Sequence, residues 1–231
     1  MLRRPHQAVL FDLFDTLCRI DETEYQAAKV EQAHLLGVDA DRYFDAWLAA
    51  SHAAQSGALA DSAARVRRTA AAVGASPGEG LVRRLVRVEE GCLARATSLY
   101  PDVLPTLRAL RARQGLRLGL VSNASSSAVA IFEGLGLAPY FDRTIFSFLV
   151  GALKPEPAIY LKACEELGVE PAGCLFVGDG NCRELDGAKA VGMEAVRIER
   201  PVVPGPYRKE ESRLFDASVA ELVEILALVR N

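Results

Sequence analysis

The apolar run Ala8-Val9-Leu10-Phe11 leads without a polar break into Asp12, and Leu13-Phe14-Asp15-Thr16 turns away behind it. A strand that is apolar at every position has no face for water. It therefore belongs inside a parallel sheet covered on both sides. In open sheets of that kind ligands bind at the carboxyl ends of the strands, which is where this one delivers Asp12. A carboxylate there can serve as nucleophile, as metal ligand or as both. On its own it can equally cap a turn.

Three further segments follow in order. Leu116 to Val121 reads as a second strand ending in Ser122-Asn123, with Ser125-Ser126-Ser127 and a helix behind it. A hydroxyl between a strand end and a helix N-terminus suits an anion, because free backbone N–H groups point there. It also suits a plain helix cap. Gly151-Ala152-Leu153-Lys154-Pro155 places Lys154 in extended or turn backbone. From there its ammonium can meet a phosphoryl oxygen or a carboxylate, or lie solvated in a loop. Cys174-Leu175-Phe176-Val177 is a third apolar strand, and it runs into Gly178-Asp179 with Glu184 and Asp186 downstream. Clustered carboxylates beside a glycine that admits close backbone approach suit Mg²⁺. Gly178-Asp179-Gly180 lacks the third glycine of a dinucleotide loop, which argues against NAD.

The alternation of these strands with helical segments predicts an α/β fold, a doubly wound parallel sheet. Further strands are expected at Thr144 to Phe146 and Ala195 to Ile198, and an N-capped final helix from Asp216 to about Val229. Between the first two motifs no strand pattern occurs. Helices are expected at Glu22 to Leu36, Ala40 to Ser51, Ser62 to Val73 and Glu79 to Ala94, with Tyr43 and Trp47 in their core. The tract Ser51 to Asp61 is read as a flexible connection and the candidate substrate loop. Seven arginines here (Arg42, Arg65, Arg67, Arg68, Arg83, Arg84 and Arg87) are mostly solvated faces, with one or two available to an anion.

Composition narrows the classes. A chain of 231 residues suits one core domain plus an insert. Its net charge of −3 and pI near 5.7 give no reason to expect nucleic acid. Five scattered cysteines without CxxC spacing argue for reduced thiols in a cytoplasm. His6, His34 and His52 show no metal spacing. The stretch Met1 to His6 is too short and polar for a signal peptide, and no apolar run is long enough to span a membrane.

Taken together, Asp12, Ser122, Lys154 and Asp179 with Glu184 resemble the four motifs of the haloacid dehalogenase-like hydrolase superfamily. Tyr100-Pro101-Asp102-Val103 resembles that family's lead-in to the second motif. The resemblance implies a Rossmann-like core at 1–18 and 99–231 and an all-helical cap at 19–98 that closes over the site and selects the substrate. It implies a Mg²⁺-dependent phosphatase of a small phosphorylated metabolite, working as a monomer or homodimer. Asp12 would be the nucleophile, and Ser122, Asn123 and Lys154 would bind substrate. Asp12, the Phe14 carbonyl, Asp179 and Glu184 would bind metal, with Asp186 competing for the last role. Family phosphatases carry an acid at Phe14, and phenylalanine transfers no proton. Asp15 would substitute for it or hydrogen-bond its own turn. An aromatic there also occurs in the family's metal-independent 2-haloacid dehalogenases, which is the main alternative. A weakly active or non-catalytic binder of a phosphorylated ligand is another.

Overall fold

The computed structural model describes residues 5–201 and 208–230. Residues 1–4 of the polar N-terminal stretch lie outside them. Strand β1 (Ala8–Phe11) is buried at all four positions, and after a turn β2 (Cys18–Ile20) leads away from it. Five helices follow: α1 (Glu22–Leu36), α2 (Ala40–Ala49), α3 (Ser51–Gln55), α4 (Ser62–Ala72) and α5 (Glu79–Ala96). Strand β3 (Thr97–Leu99) then returns antiparallel to β2. The remainder alternates: α6 (Val103–Arg111), β4 (Arg117–Ser122), α7 (Ser127–Gly134), β5 (Arg143–Phe146), α8 (Ser147–Val150), α9 (Pro157–Leu167), β6 (Cys174–Gly178), α10 (Glu184–Ala190), β7 (Glu194–Ile198), β8 (Ala217–Val219) and α11 (Ile225–Leu228).

Six of the strands form one parallel sheet in the order β5-β4-β1-β6-β7-β8. This is the doubly wound α/β architecture that the alternation predicts. β1 sits between β4 and β6, with Phe11 level with Leu120 and Val177. Side chains alternate across the sheet. Val9 and Phe11 join the core under α6 and α7, while Ala8 and Leu10 join the core under α9 and α10. The same register brings the ends of β1, β4 and β6 side by side, so residues 12, 122 and 179 meet.

The helices between β2 and β3 carry local signals that the sequence displays. Asp21, Asp39 and Asp61 cap α1, α2 and α4 through their carboxylates, and Gly37 ends α1 at φ 69°. Tyr43 and Trp47 are buried and stacked, with ring centroids 6.5 Å apart. A second cluster, built on Tyr25, Leu93, Ala96 and Ile131, joins these helices to α7.

The expected boundaries near 18 and 99 fall on the β2–β3 ribbon, whose three-residue strands carry no periodic signal of their own. Two expectations are corrected. The tract from Ser51 opens with helix α3, and its Gln55 carbonyl accepts from Ser147 Oγ at 2.7 Å. Ala217–Val219 is a strand rather than the start of a helix, because the free edge of β7 pairs with it. Helical structure begins only at Leu222, behind a capping box of Glu221 and Glu224. Among the described residues no helix is long and apolar enough to cross a membrane.

One glycine sets the distance between α10 and the loop that carries Lys154. A Cβ on Gly187 would stand 2.6 Å from the Pro155 carbonyl oxygen and 2.7 Å from the Tyr160 hydroxyl. Gly187→Ala should therefore destabilise the fold by about 1–3 kcal/mol through overpacking. Urea unfolding checks this, and an unchanged midpoint would contradict it.

Candidate active site

Each strand end contributes one group. Asp12 directly follows β1, and its N–H donates to the Val177 carbonyl at 3.0 Å, continuing the ladder. Asp179 directly follows β6, and its Oδ1 accepts from the Asn181 N–H at 3.1 Å. Lys154 enters from the loop between α8 and α9. The Asn123 side chain holds this loop from both sides, donating to the Lys154 carbonyl at 3.0 Å and accepting from its N–H at 2.8 Å. Glu184 opens α10. Its Oε1 accepts from the Gly180 N–H at 3.0 Å, and a Cβ on Gly178 would lie 2.1 Å from that oxygen. Only glycine at 178 leaves room for the carboxylate.

These groups converge. Lys154 Nζ donates to Asp12 Oδ1 and to Glu184 Oε2, both at 2.5 Å. Asp12, Asp179 and Glu184 are all buried and each present an oxygen within 4.8 Å of the others. Burial pushes the Asp12 and Glu184 carboxyls up, and Lys154 offsets only part of that. Burial alone would pull the Lys154 ammonium down, but Asp12 and Glu184 hold it above its usual range.

The remaining expected residues fall around this centre. Ser122 is fully buried at the end of β4, with its Oγ unpaired by the protein. Asn123 lines the cavity above, although its amide is committed to Lys154. The half-buried Phe14 side chain packs against both the sheet core and the cluster shared with α1 and α5. Asp15 has a left-handed backbone, φ 57°. Burial and the neighbouring Asp179 raise its carboxyl to about 6. Asp186 does not compete with Glu184. It accepts from the backbone N–H groups of Arg213 and Leu214 at 2.8 Å and from Arg183 Nε at 3.0 Å.

Two residues enter that sequence reading did not single out. Arg208 Nη1 donates to Asp179 Oδ2 at 2.6 Å. Of the seven arginines named from the sequence, Arg65 alone lines the cavity, stacked on Trp47 and donating to Ser51 Oγ at 2.8 Å; Arg95, at the end of α5, lines it as well. Nothing in its spacing separates Arg65 from the other six. The cavity itself holds about 770 Å³ between the strand ends and the helices, and His52 and Gln55 of the expected substrate loop line it.

Comparison with known proteins agrees with this geometry. The family model for haloacid dehalogenase-like hydrolases matches residues 6–192. A glyceraldehyde 3-phosphate phosphatase of Methanopyrus kandleri is 36% identical over 166 residues, covering 69% of this chain and 68% of that protein. For several further curated relatives the match covers 41% of their length or less. Two solved structures match nearly end to end. One is a phosphatase of this family from Thermococcus onnurineus, with TM-score 0.66, 28% identity and 96% of each chain covered. The other is a 2-haloacid dehalogenase from Pseudomonas syringae pv. Tomato DC3000, with TM-score 0.71, 25% identity, and 96% of this chain and 99% of that chain covered. The chain belongs to the haloacid dehalogenase-like hydrolase family and is a hydrolase.

The buried charge predicts a pH-dependent stability. Asp12 and Glu184 have folded pKa values above their unfolded ones, so their ionisation opposes folding. Lys154→Met removes the cation that offsets this. In chelator the variant should lose about 3–5 kcal/mol near pH 7. The loss should shrink as pH falls and the two carboxyls take up protons in the folded state. Urea titrations near pH 7 and near pH 5 measure it, and a loss that does not vary with pH would contradict the assignment.

Proposed function

We propose that this haloacid dehalogenase-like hydrolase is a Mg²⁺-dependent phosphatase of a small phosphorylated metabolite, with Asp12 as nucleophile. One observation carries the reading. Five carboxylates, Asp12, Asp15, Asp179, Glu184 and Glu211, face three cations, Lys154, Arg208 and Arg197, which leaves a formal excess of two negative charges. The donor set is all oxygen, as a hard divalent cation requires, and one such ion cancels the excess. Asp12, Asp179 and the Phe14 carbonyl would hold it, with Glu184 supporting the site through Lys154. When bound, the ion offsets the repulsion between these carboxylates and an incoming phosphate. The name of the Methanopyrus relative supports a phosphorylated substrate of metabolite size.

In this reading Asp12 Oδ2, which accepts only a long bond of 3.5 Å from the Thr16 hydroxyl while Oδ1 is held by Lys154, attacks phosphorus as the ester oxygen departs, leaving an aspartyl phosphate. Water then attacks the phosphorus and regenerates Asp12. Lys154 stays protonated and donates to a phosphoryl oxygen, and Ser122 Oγ adds a second donor. Helices α1–α5 act as a cap that closes the cavity and selects the substrate, with Arg65 as a buried cation in the cavity lining. Phe14 supplies packing where a proton donor would stand, so the leaving oxygen departs poorly protonated.

The second reading is a 2-haloacid dehalogenase, favoured by Phe14 and by the Pseudomonas structure. The same Asp12 would then displace halide from carbon. Asp179 argues against it, since a reaction without metal has no use for a third buried carboxylate.

The readings separate in one screen of phosphate esters and 2-chloropropionate, each with Mg²⁺ and with chelator. The phosphatase reading expects turnover of a phosphate ester that chelator abolishes. It also expects none from Asp12→Asn and a loss of about 10²-fold or more in Lys154→Ala. Halide release that persists in chelator would select the dehalogenase. Tight binding of a phosphorylated ligand without turnover would select a binding protein.

Phe14 yields a further expectation. General acid–base catalysis typically contributes about 10²–10⁴-fold, so aryl and acyl phosphates should outpace alkyl phosphates by a wide margin. Phe14→Asp should narrow the gap if the new side chain reaches the leaving oxygen. If Asp15 already transfers the proton, Asp15→Asn will slow the enzyme by a similar factor and Phe14→Asp will do little. Equal rates on alkyl and aryl esters, with chemistry rate-limiting and Asp15→Asn harmless, would refute the missing-acid reading.

A further inference from the structure

Residues 208–214 form a strap across the loop that follows β6. The Lys209 N–H donates to Asn181 Oδ1 at 2.8 Å, and the Arg183 N–H donates to the Glu210 carbonyl at 2.9 Å. Ser212 donates to the Gly180 carbonyl through its N–H at 2.8 Å and its hydroxyl at 2.9 Å. The same hydroxyl accepts from the Leu185 N–H at 2.9 Å. Asp186 holds the far end of the strap through Arg213 and Leu214. So many main-chain bonds give the strap a single register on the loop, and that register places the Arg208 side chain inside the site.

There the guanidinium meets three acids. Its Nη1 donates to Asp179 Oδ2 at 2.6 Å and stands 3.6 Å from Asp15 Oδ2. Its Nη2 donates to Glu211 Oε1 at 2.5 Å. With Asn181 on Oδ1 and Arg208 on Oδ2, both Asp179 oxygens already have donors. A cation arriving at Asp179 must share it with a guanidinium. Asp15, next in reach of the same nitrogen, adopts a left-handed backbone that is costly for a side chain with a Cβ.

We propose that Arg208 is a positioning residue that competes with the divalent cation for Asp179, and that Asp15 takes over the guanidinium when the cation binds. The proposal rests on the metal reading above. Before the cation arrives, Arg208 neutralises a carboxylate that would otherwise be buried and unpaired. Afterwards the two positive charges repel, and Nη1 has only about an ångström to travel to reach hydrogen-bonding distance of Asp15. The displaced guanidinium then faces the cavity, where an anionic substrate enters.

The test is direct metal binding, without substrate. Metal-free protein is titrated with Mn²⁺, with free ion followed by electron paramagnetic resonance, for the wild type, Arg208→Gln, Arg208→Lys and Asp179→Asn. Removing a unit positive charge beside a metal ligand should tighten binding in Arg208→Gln by about tenfold or more. Arg208→Lys should stay near wild type, and Asp179→Asn should lose the site. Mn²⁺ should also raise the melting temperature of Arg208→Gln by more than that of the wild type. A merely structural role would weaken binding instead. Unchanged or weaker affinity in Arg208→Gln, with the wild type binding saturably, overturns the competition alone. No saturable binding in the wild type overturns the metal reading and this proposal with it. If Arg208→Gln folds poorly, Asp15→Asn removes the second acceptor and should weaken Mn²⁺ binding, and an unaltered affinity there overturns the proposal.

Discussion

The Lys154 ammonium, shared between Asp12 and Glu184, is the contact on which the rest of the site depends. It gathers carboxylates from the ends of β1 and the start of α10 in a place with little water to screen them. Much of the surrounding structure serves this contact. Asn123 fixes the Lys154 backbone from the end of β4. Gly187 lets α10 approach the same loop, and Gly178 leaves space for the Glu184 carboxylate. One ammonium does not neutralise three buried acids. In the proposed function, the residual charge is what would draw a cation to the site and, through it, phosphate.

Phe14 shows the opposite economy. It lies two residues from Asp12 yet contributes packing, joining the sheet core to the cluster formed with α1 and α5. The same residue type at the same place is compatible with breaking phosphorus–oxygen or carbon–halogen bonds. Similarity to both a phosphatase and a dehalogenase structure is what such a site would produce. In the proposed function, charge at Asp179 rather than overall shape is what would separate the two chemistries.

The buried strands and the residues at their ends were legible because a strand covered on both faces is apolar throughout and stops abruptly at a functional group. The choice between Glu184 and Asp186 needed coordinates. Two residues on a helix point about 200° apart, so one acid enters the site and the other holds the strap. The β2–β3 ribbon was hidden by its three-residue strands, and β8 by an acidic start that mimics a helix cap. Arg208 was illegible for another reason. It reaches Asp179 from 29 positions along the chain through backbone bonds of the strap, which leave no pattern in composition or spacing.

The central claim is that Asp12 attacks phosphorus. Rapid acid quench during turnover of an aryl phosphate with Mg²⁺, followed by peptide mass mapping, tests it most directly. The account predicts a phosphoryl group on the peptide containing Asp12, formed within the first turnover and absent in Asp12→Asn. Steady turnover with a phosphoryl group on another residue, or with Asp12→Asn still active, would contradict it.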